Sequence, residues 1–183
     1  SWSVPHLKDK VIEYVLPEST NRQLTREEAL FTNDFSKPIK SLPRGAAWEN
    51  ADVLDEAYAD GRVASHAVDR LRALSSNSDQ PFFLAVGFVR PHLPFSAPRK
   101  YWEMYDRDKL PMPKFEKAPE GAPKYAVKRQ GEITAFKPVP VENVIYQDDL
   151  KRDLIHGYYA SMSYMDTQVG KVLDEVEKLG LDE

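Results

Sequence analysis

Residues 82–98 read FFLAVGFVRPHLPFSAP, and this stretch decides the fold that the sequence predicts. Its first part, residues 82–89, is a continuous apolar run with one glycine. That is the length of a strand buried on both faces, and it is too short for a typical helix. Arg90 and Pro91 end the run, and His92 follows among further prolines. Because ligands of α/β folds bind beyond the carboxyl ends of the strands, the stretch predicts a buried inner strand that leads into a site loop.

The segment before this strand has the pattern of a helix. Residues 62–74 place apolar side chains at helical spacing, and Asp60 stands where an N-cap residue is expected. Helix, short turn and buried strand recur in doubly wound α/β sheets. We therefore predict an α/β fold in which flanking helices cover a central sheet. The apolar positions of this helix are Val63, Ala67, Leu71 and Leu74.

A longer helix is predicted near the end of the chain. Apolar side chains recur at helical spacing over residues 150–179, and Asp148 or Asp149 is placed to cap the start. Gly180 is placed to end the helix as its C′ residue. Asp166 falls mid-helix among apolar residues, and we interpret it as a buried hydrogen-bonding residue rather than a catalyst.

The remaining segments show little periodicity. Residues 1–55 are predicted to be irregular apart from a helical turn at residues 24–31, where Thr25 and Glu28 have the spacing of a capping box. Residues 99–147 are rich in proline and predict long, shaped loops that could form a rim over a site.

Composition narrows the classes of function. The 183 residues carry 25 lysines and arginines against 29 aspartates and glutamates. The formal charge of −4 gives no support for a nucleic acid or a membrane as partner. The chain has no cysteine, which excludes disulfides and thiol catalysis within it. No run is long and apolar enough to span a bilayer.

The four histidines are the first candidates for chemistry, and no pair of them has metal-ligand spacing. His66 lies on the polar side of its predicted helix and is interpreted as solvated, whereas His156 is interpreted as a helix-surface or packing residue. His92 differs because neighbouring prolines fix the backbone around it. Its ring could donate to an anionic substrate or transfer a proton, or it could only bond a backbone carbonyl. The local sequence does not decide between these roles.

Arg90 and the adjacent Asp148 and Asp149 are further charged candidates. Arg90 could add positive charge for an anion, but a surface ion pair is the favoured interpretation. The two aspartates could suggest a metal site. At a helix start they are better explained as capping residues that complement the helix dipole.

Four long motifs stand out along the chain. They are SWSVP at residues 1–5, DEAYADGRVASHAVDRLRAL at 55–74, FFLAVGFVRPHLPFSAPRKYWEMY at 82–105 and YYASMSYMDTQVGKVLDEVEKLGL at 158–181. Together they resemble the sulfatase family, and within it most closely the iduronate-2-sulfatase branch. The resemblance implies an alkaline-phosphatase-like α/β sandwich that hydrolyses sulfate esters. It also implies a formylglycine nucleophile, made from the Cys or Ser of a CxPSR or SxPSR motif, and a Ca²⁺ ion held by acidic and amide side chains. His92 matches the histidine of the family's RPHLPF-type loop, which the resemblance implies contacts the substrate sulfate.

The chain also departs from the family pattern. It has no cysteine and no CxPSR or SxPSR stretch, and it lacks the Asp-Asp pair of the family's first strand and the Asp-His-Gly metal motif. We therefore expect residues 1–183 to be an internal segment of one sulfatase catalytic domain. Isolated, it should bind no Ca²⁺ and be inactive. The expected parts are an irregular segment 1–55, a helix, strand and site loop over 56–98, the proline-rich loops 99–147 and a long helix over 148–183.

The complete protein is accordingly expected to be a sulfuric ester hydrolase acting on a sulfated saccharide, with His92 as a catalytic and substrate-binding residue. Two alternatives stay open. One is a phosphodiesterase or phosphonate hydrolase of the same superfamily, and the other is a non-catalytic module that binds sulfated sugar. Exposed sheet edges would also allow copies of the chain to associate. Enzymes of this family are usually exported or lysosomal.

Overall fold

The computed structural model of the chain describes residues 4–7, 14–76, 81–115, 118–123, 125, 131–142 and 144–182. None of the helices in these ranges is long and apolar enough to cross a membrane. The 3₁₀ turns are Ile39–Ser41, Asp55–Ala57, Arg107–Lys109 and Glu132–Ala135. The helices and strands are α1 (Pro17–Thr20), α2 (Arg26–Thr32), β1 (Trp48–Glu49), α3 (Ala59–Ser75), β2 (Phe95–Ser96), α4 (Arg99–Trp102) and α5 (Asp148–Lys178).

The two long helices, α3 and α5, pack against each other. Both bury small side chains, among them Ala64 and Ala160, which allow the helix backbones to approach closely. Tyr164 of α5 is fully buried. Its hydroxyl donates to the carbonyl oxygen of Asp55 at 2.9 Å and accepts from the backbone N–H of Gly61 at 2.7 Å. The helices predicted at residues 62–74 and 150–179 are thus confirmed, because their apolar stripes face each other.

A small parallel sheet lies beside these helices. β1 pairs with β2, with Trp48 opposite Phe95 and Glu49 opposite Ser96. Just before β1 in the chain, Ala46 forms a parallel bridge with Lys137. The chain passes from β1 through α3 to β2, so the connection between the parallel strands contains a helix, as the α/β prediction requires.

The predicted inner strand at residues 82–89 is wrong. The structure has no strand over residues 81–89, and the side chains of Phe82 and Phe83 are 40% and 78% exposed. Leu84 and Val86 are half-buried. A strand requires hydrogen-bonding partners on a neighbouring strand. Among the described residues, the strand pairing lies elsewhere, between β1 and β2 and at the bridge of Ala46 with Lys137. The association of copies through a sheet edge stays a prediction.

The helix ends follow the predicted chemistry in part. Thr25 and Glu28 form the capping box at the start of α2, and Gly180 adopts a φ of 65° just beyond α5, as the C′ position favours. The predicted caps of the long helices are wrong. Asp60 lies inside the first turn of α3, whose N-cap is Tyr58.

Asp148 and Asp149 likewise lie in the first turn of α5, after the N-cap residue Gln147. They complement the helix dipole there without capping it, since no side chain makes a cap hydrogen bond at this start. The prediction for Asp166 is also wrong, because its side chain is exposed. The buried positions are Tyr164 and Gln168, one helical turn apart, and Asp166 lies halfway between them on the opposite side.

Gly61→Ala is expected to destabilise the fold strongly. A Cβ atom at residue 61 would overlap the backbone carbonyl group of Asp55, which cannot rotate away as a side chain can. We expect a loss of about 1–3 kcal/mol in the free energy of unfolding, measured by urea denaturation. Gly170→Ala is the matched control within α5. Its Cβ would meet no neighbouring atom, and it should be neutral or slightly stabilising. Equal stability of the two variants would contradict the close approach at Gly61.

Candidate active-site loop

The loop that carries His92 joins residues 81–89 to β2. The backbone N–H of His92 donates to the carbonyl of Val89 at 3.0 Å, and that of Ser96 donates to the carbonyl of Pro94 at 2.8 Å. The Arg90–Pro91 and Leu93–Pro94 peptide bonds are cis. The side chain of His92 is exposed on this loop.

The two ring nitrogens of His92 have different surroundings. Nδ1 lies 2.6 Å from the carbonyl oxygen of Leu93, and Nε2 lies 3.3 Å from Oε2 of Glu132. A carbonyl oxygen only accepts, so Nδ1 carries a proton and donates it there. This contact fixes the orientation of the ring and directs Nε2 toward Glu132. The His92 side chain is 49% exposed. The bond to a backbone carbonyl, one of the roles considered for His92 from sequence, is thus present. It uses Nδ1 and leaves Nε2, beside Glu132, as the nitrogen that could contact a ligand.

The surface position that the ion-pair interpretation of Arg90 requires is wrong. The side chain of Arg90 is buried, with 5% exposure, and it lies under the loop. Nε donates to the carbonyl of Ser96 at 3.0 Å, and one terminal nitrogen donates to the carbonyl of His92 at 3.3 Å. The guanidinium group therefore bridges the carbonyl of His92, at the tip of the loop, and the carbonyl of Ser96, in β2.

Asp60 is a residue that the sequence placed in the wrong role. It is 2% exposed, and its carboxylate accepts from the backbone N–H groups of Val89 at 2.8 Å and of Arg90 at 2.9 Å. An aspartate near a helix start is a correct signal for a hydrogen-bonding carboxylate. Nothing local could indicate that its partners lie about 30 residues further along the chain.

Asp55 is the centre of a buried polar cluster formed with side chains of α4 and α5. Its carboxylate is 5% exposed and accepts hydrogen bonds from the Tyr101 hydroxyl at 3.0 Å and from Gln168 Nε2 at 3.1 Å. Lys100 and Lys171 approach it at 2.7 and 2.8 Å. Burial raises the pKa of Asp55, but the hydrogen bonds from the two lysines, Gln168 and Tyr101 together outweigh burial and lower it to about 2. The carboxylate is therefore ionised, and it ties α4 and α5 to the start of α3.

The other candidate residues lie outside this loop. His66 is exposed on α3, and His156 Nε2 lies 2.8 Å from the carbonyl of Trp102, on whose ring the imidazole packs. Both interpretations from sequence are confirmed. Asp148 pairs with Lys151, and Asp149 pairs with Arg107.

The residues of the described ranges do not fit a calcium site. No group of three or more histidine, cysteine, aspartate or glutamate side chains is arranged there to hold a metal ion.

A groove of about 870 Å³ runs between α3 and residues 81–87. His66 and Arg70 contribute to its wall, together with apolar side chains such as Leu74 and Leu84. His92 does not line this groove. Its side chain lies on the loop and is 49% exposed.

Comparisons with known proteins agree with the motifs. The family model described as Sulfatase matches residues 14–183. Iduronate 2-sulfatase of Homo sapiens is 29% identical over 142 residues, which cover 71% of this chain and 24% of that protein. Iduronate 2-sulfatase of Mus musculus is 32% identical over 136 residues, which cover 72% of this chain and 24% of that protein. Arylsulfatase of Clostridium perfringens is 31% identical over 118 residues, which cover 64% of this chain and 22% of that protein. The chain thus spans about a quarter of the length of these curated relatives.

Proposed function

Because this chain belongs to the sulfatase family, we propose that the complete protein is a sulfuric ester hydrolase in which His92 contacts the sulfate group of the substrate. The observation that carries the proposal is the match of the family over residues 14–183, which includes the whole His92 loop. The orientation of the His92 ring supports the same role.

The chemistry proposed for His92 uses Nε2. Because Nδ1 is held on the carbonyl of Leu93, Nε2 is directed away from that carbonyl and toward Glu132. The His92 side chain as a whole is 49% exposed. When protonated, it can donate a hydrogen bond to a sulfate oxygen, or transfer the proton to the oxygen of the leaving alcohol. The carboxylate of Glu132 lies 3.3 Å from Nε2 and occupies this position in the structure. Because the Glu132 side chain is 53% exposed, we propose that it moves aside when a sulfate oxygen binds.

We propose a sulfated saccharide as the substrate, of the glycosaminoglycan class. The support is the printed name of two relatives, iduronate 2-sulfatase, at 29% and 32% identity. A sulfated sugar presents an anion to the His92 loop and hydroxyl groups to the polar side chains around it.

We propose further that the nucleophile and the calcium ligands are supplied by other parts of the complete protein. Members of this family generally use a formylglycine and Ca²⁺, and this chain has neither a cysteine nor an SxPSR stretch. The 183 residues alone should therefore release no sulfate from an ester.

The test compares the complete protein with the isolated 183 residues on an aryl sulfate and on a sulfated disaccharide, with sulfate release as the readout. The complete protein should turn over both esters, and the isolated residues neither. Higher kcat/KM on a phosphate diester or a phosphonate would instead favour the phosphodiesterase alternative. Binding of the sulfated disaccharide without any turnover would favour a non-catalytic module.

A further inference from the structure

We propose that Asp60 and Arg90 are positioning residues that set the direction of the His92 ring through the backbone of its loop. The inference rests on the proposed function, because it concerns the same loop. It adds a physical link between α3 and the site, made by two buried polar side chains that do not themselves need to contact the substrate.

The first part of the link is Asp60. Its carboxylate is 2% exposed and accepts from two consecutive backbone N–H groups, those of Val89 and Arg90, at 2.8 and 2.9 Å. Hydrogen bonds to an ionised carboxylate are stronger than neutral ones, and a buried pair of them resists exchange with water. Asp60 lies in the first turn of α3, so the backbone entering the His92 loop is held on the rigid end of a long helix.

The second part of the link is the Arg90 side chain. Its guanidinium donates to the carbonyl of Ser96, in β2, and to the carbonyl of His92 itself. The planar group carries donors in a fixed geometry, so it fixes the distance between the strand and the tip of the loop. Buried at 5% exposure, it does this without competition from bulk water.

Three carbonyl groups of the loop accept hydrogen bonds from the side chains of Arg90 and His92. Those of His92 and Ser96 accept from Arg90, and that of Leu93 accepts from Nδ1 of the imidazole. The orientation of the ring depends on the position of the Leu93 carbonyl, which depends on the shape of the loop. If Arg90 no longer bridges the loop, the Leu93 carbonyl shifts and Nε2 loses its fixed direction. Misplacement of a reacting group by about 1 Å can lower a rate by about 10²-fold.

The test is a double-mutant cycle in the complete protein, with kcat/KM for an aryl sulfate as the first readout. Arg90→Met, which keeps an unbranched stem but removes the donors, should lower kcat/KM by about 10- to 100-fold when His92 is present. In the His92→Ala background the same change should cost less than about threefold, because the group being positioned is already absent. A structural role would lower kcat/KM by the same factor in both backgrounds and overturn the proposal.

Matched variants separate the link from general loss of charge. Asp60→Asn keeps the size of the side chain but can accept from only one of the two backbone N–H groups, because its amide nitrogen is a donor. It should show the same dependence on His92. Asp69→Asn, on an exposed position of the same helix, and Arg99→Met, whose ion pair with Asp52 is exposed, should leave kcat/KM within about twofold of wild type. A comparable loss in these controls would also overturn the proposal.

Hydrogen exchange gives a readout that does not depend on turnover. Arg90→Met should raise the exchange rate of the His92 and Ser96 amides by at least about tenfold, while amides in the middle of α5 keep wild-type protection. Unchanged exchange in the loop would refute the positioning role even if the protein is an active sulfatase. Faster loop exchange in a protein that hydrolyses no sulfate ester would refute the proposed function and leave the mechanical link supported.

Discussion

His92→Ala in the complete protein is expected to lower kcat/KM for a sulfate ester by roughly 10²–10⁴-fold, the range of a positioned proton-transfer group. The imidazole is held by the contact of Nδ1 with the Leu93 carbonyl, and its Nε2 lies on the opposite side of the ring, beside Glu132. Alanine removes this ring and with it the proposed donor to a bound anion. Steady-state kinetics on an aryl sulfate measures the loss. Stability should change little, because the side chain is 49% exposed.

Two other histidines serve as controls for this prediction. His66→Ala should keep wild-type kcat/KM, since His66 is exposed on α3. His156→Ala should also keep it, with a small loss of stability, because its ring packs on Trp102. Full activity of His92→Ala would refute the site assignment. Loss of activity only through unfolding, seen as a matching drop in the unfolding midpoint, would refute it as well.

Asp55→Ala is expected to lower the free energy of unfolding by roughly 3 kcal/mol, the lower end of the range for breaking a buried ion pair. The change leaves the buried groups of Tyr101 and Gln168 with one acceptor fewer. The loss stays at the lower end because Lys100 and Lys171, with side chains 56% and 37% exposed, can be hydrated in the variant. Urea denaturation at neutral pH measures the loss.

Asp52→Ala is the matched control for Asp55. Its side chain is 83% exposed and its ion pair with Arg99 is long, at 3.8 Å, so we expect a change within about 0.5 kcal/mol. If Asp52→Ala lowered the free energy of unfolding as much as Asp55→Ala, burial of the Asp55 cluster would not explain the stability loss.

The acid dependence of stability tests the same cluster with a defined sign. The pKa of Asp55 falls from 3.8 to about 2 on folding, so the ionised carboxylate stabilises the fold above pH 4, and this contribution is lost as the pH falls toward 2. The shift corresponds to about 2 kcal/mol. Between pH 5 and pH 2.5 the wild type should lose more free energy of unfolding than Asp55→Asn, which has no group to titrate there. Parallel curves for the two proteins would contradict the lowered pKa.

The two long helices could be predicted from sequence because helix formation depends on neighbours three and four residues apart. The stripe of residues 150–179, the capping box of Thr25 and Glu28, and Gly180 at the helix end are all local patterns. The same reasoning failed for residues 82–89. An apolar run indicates that a segment favours burial, but a strand forms only where another segment offers its backbone groups.

The candidate site divides in a similar way. The sequence by itself determined the family, the two long helices and the choice of His92, since motifs, periodicity and a histidine among prolines are all read along the chain. Only the tertiary structure decided that Arg90 is buried, that Asp60 holds the loop, and that Glu132 stands beside His92. These contacts join residues about 30 to 40 positions apart or depend on what covers a side chain, and no local pattern encodes which distant carbonyl, amide or carboxylate the folded chain brings within hydrogen-bonding distance.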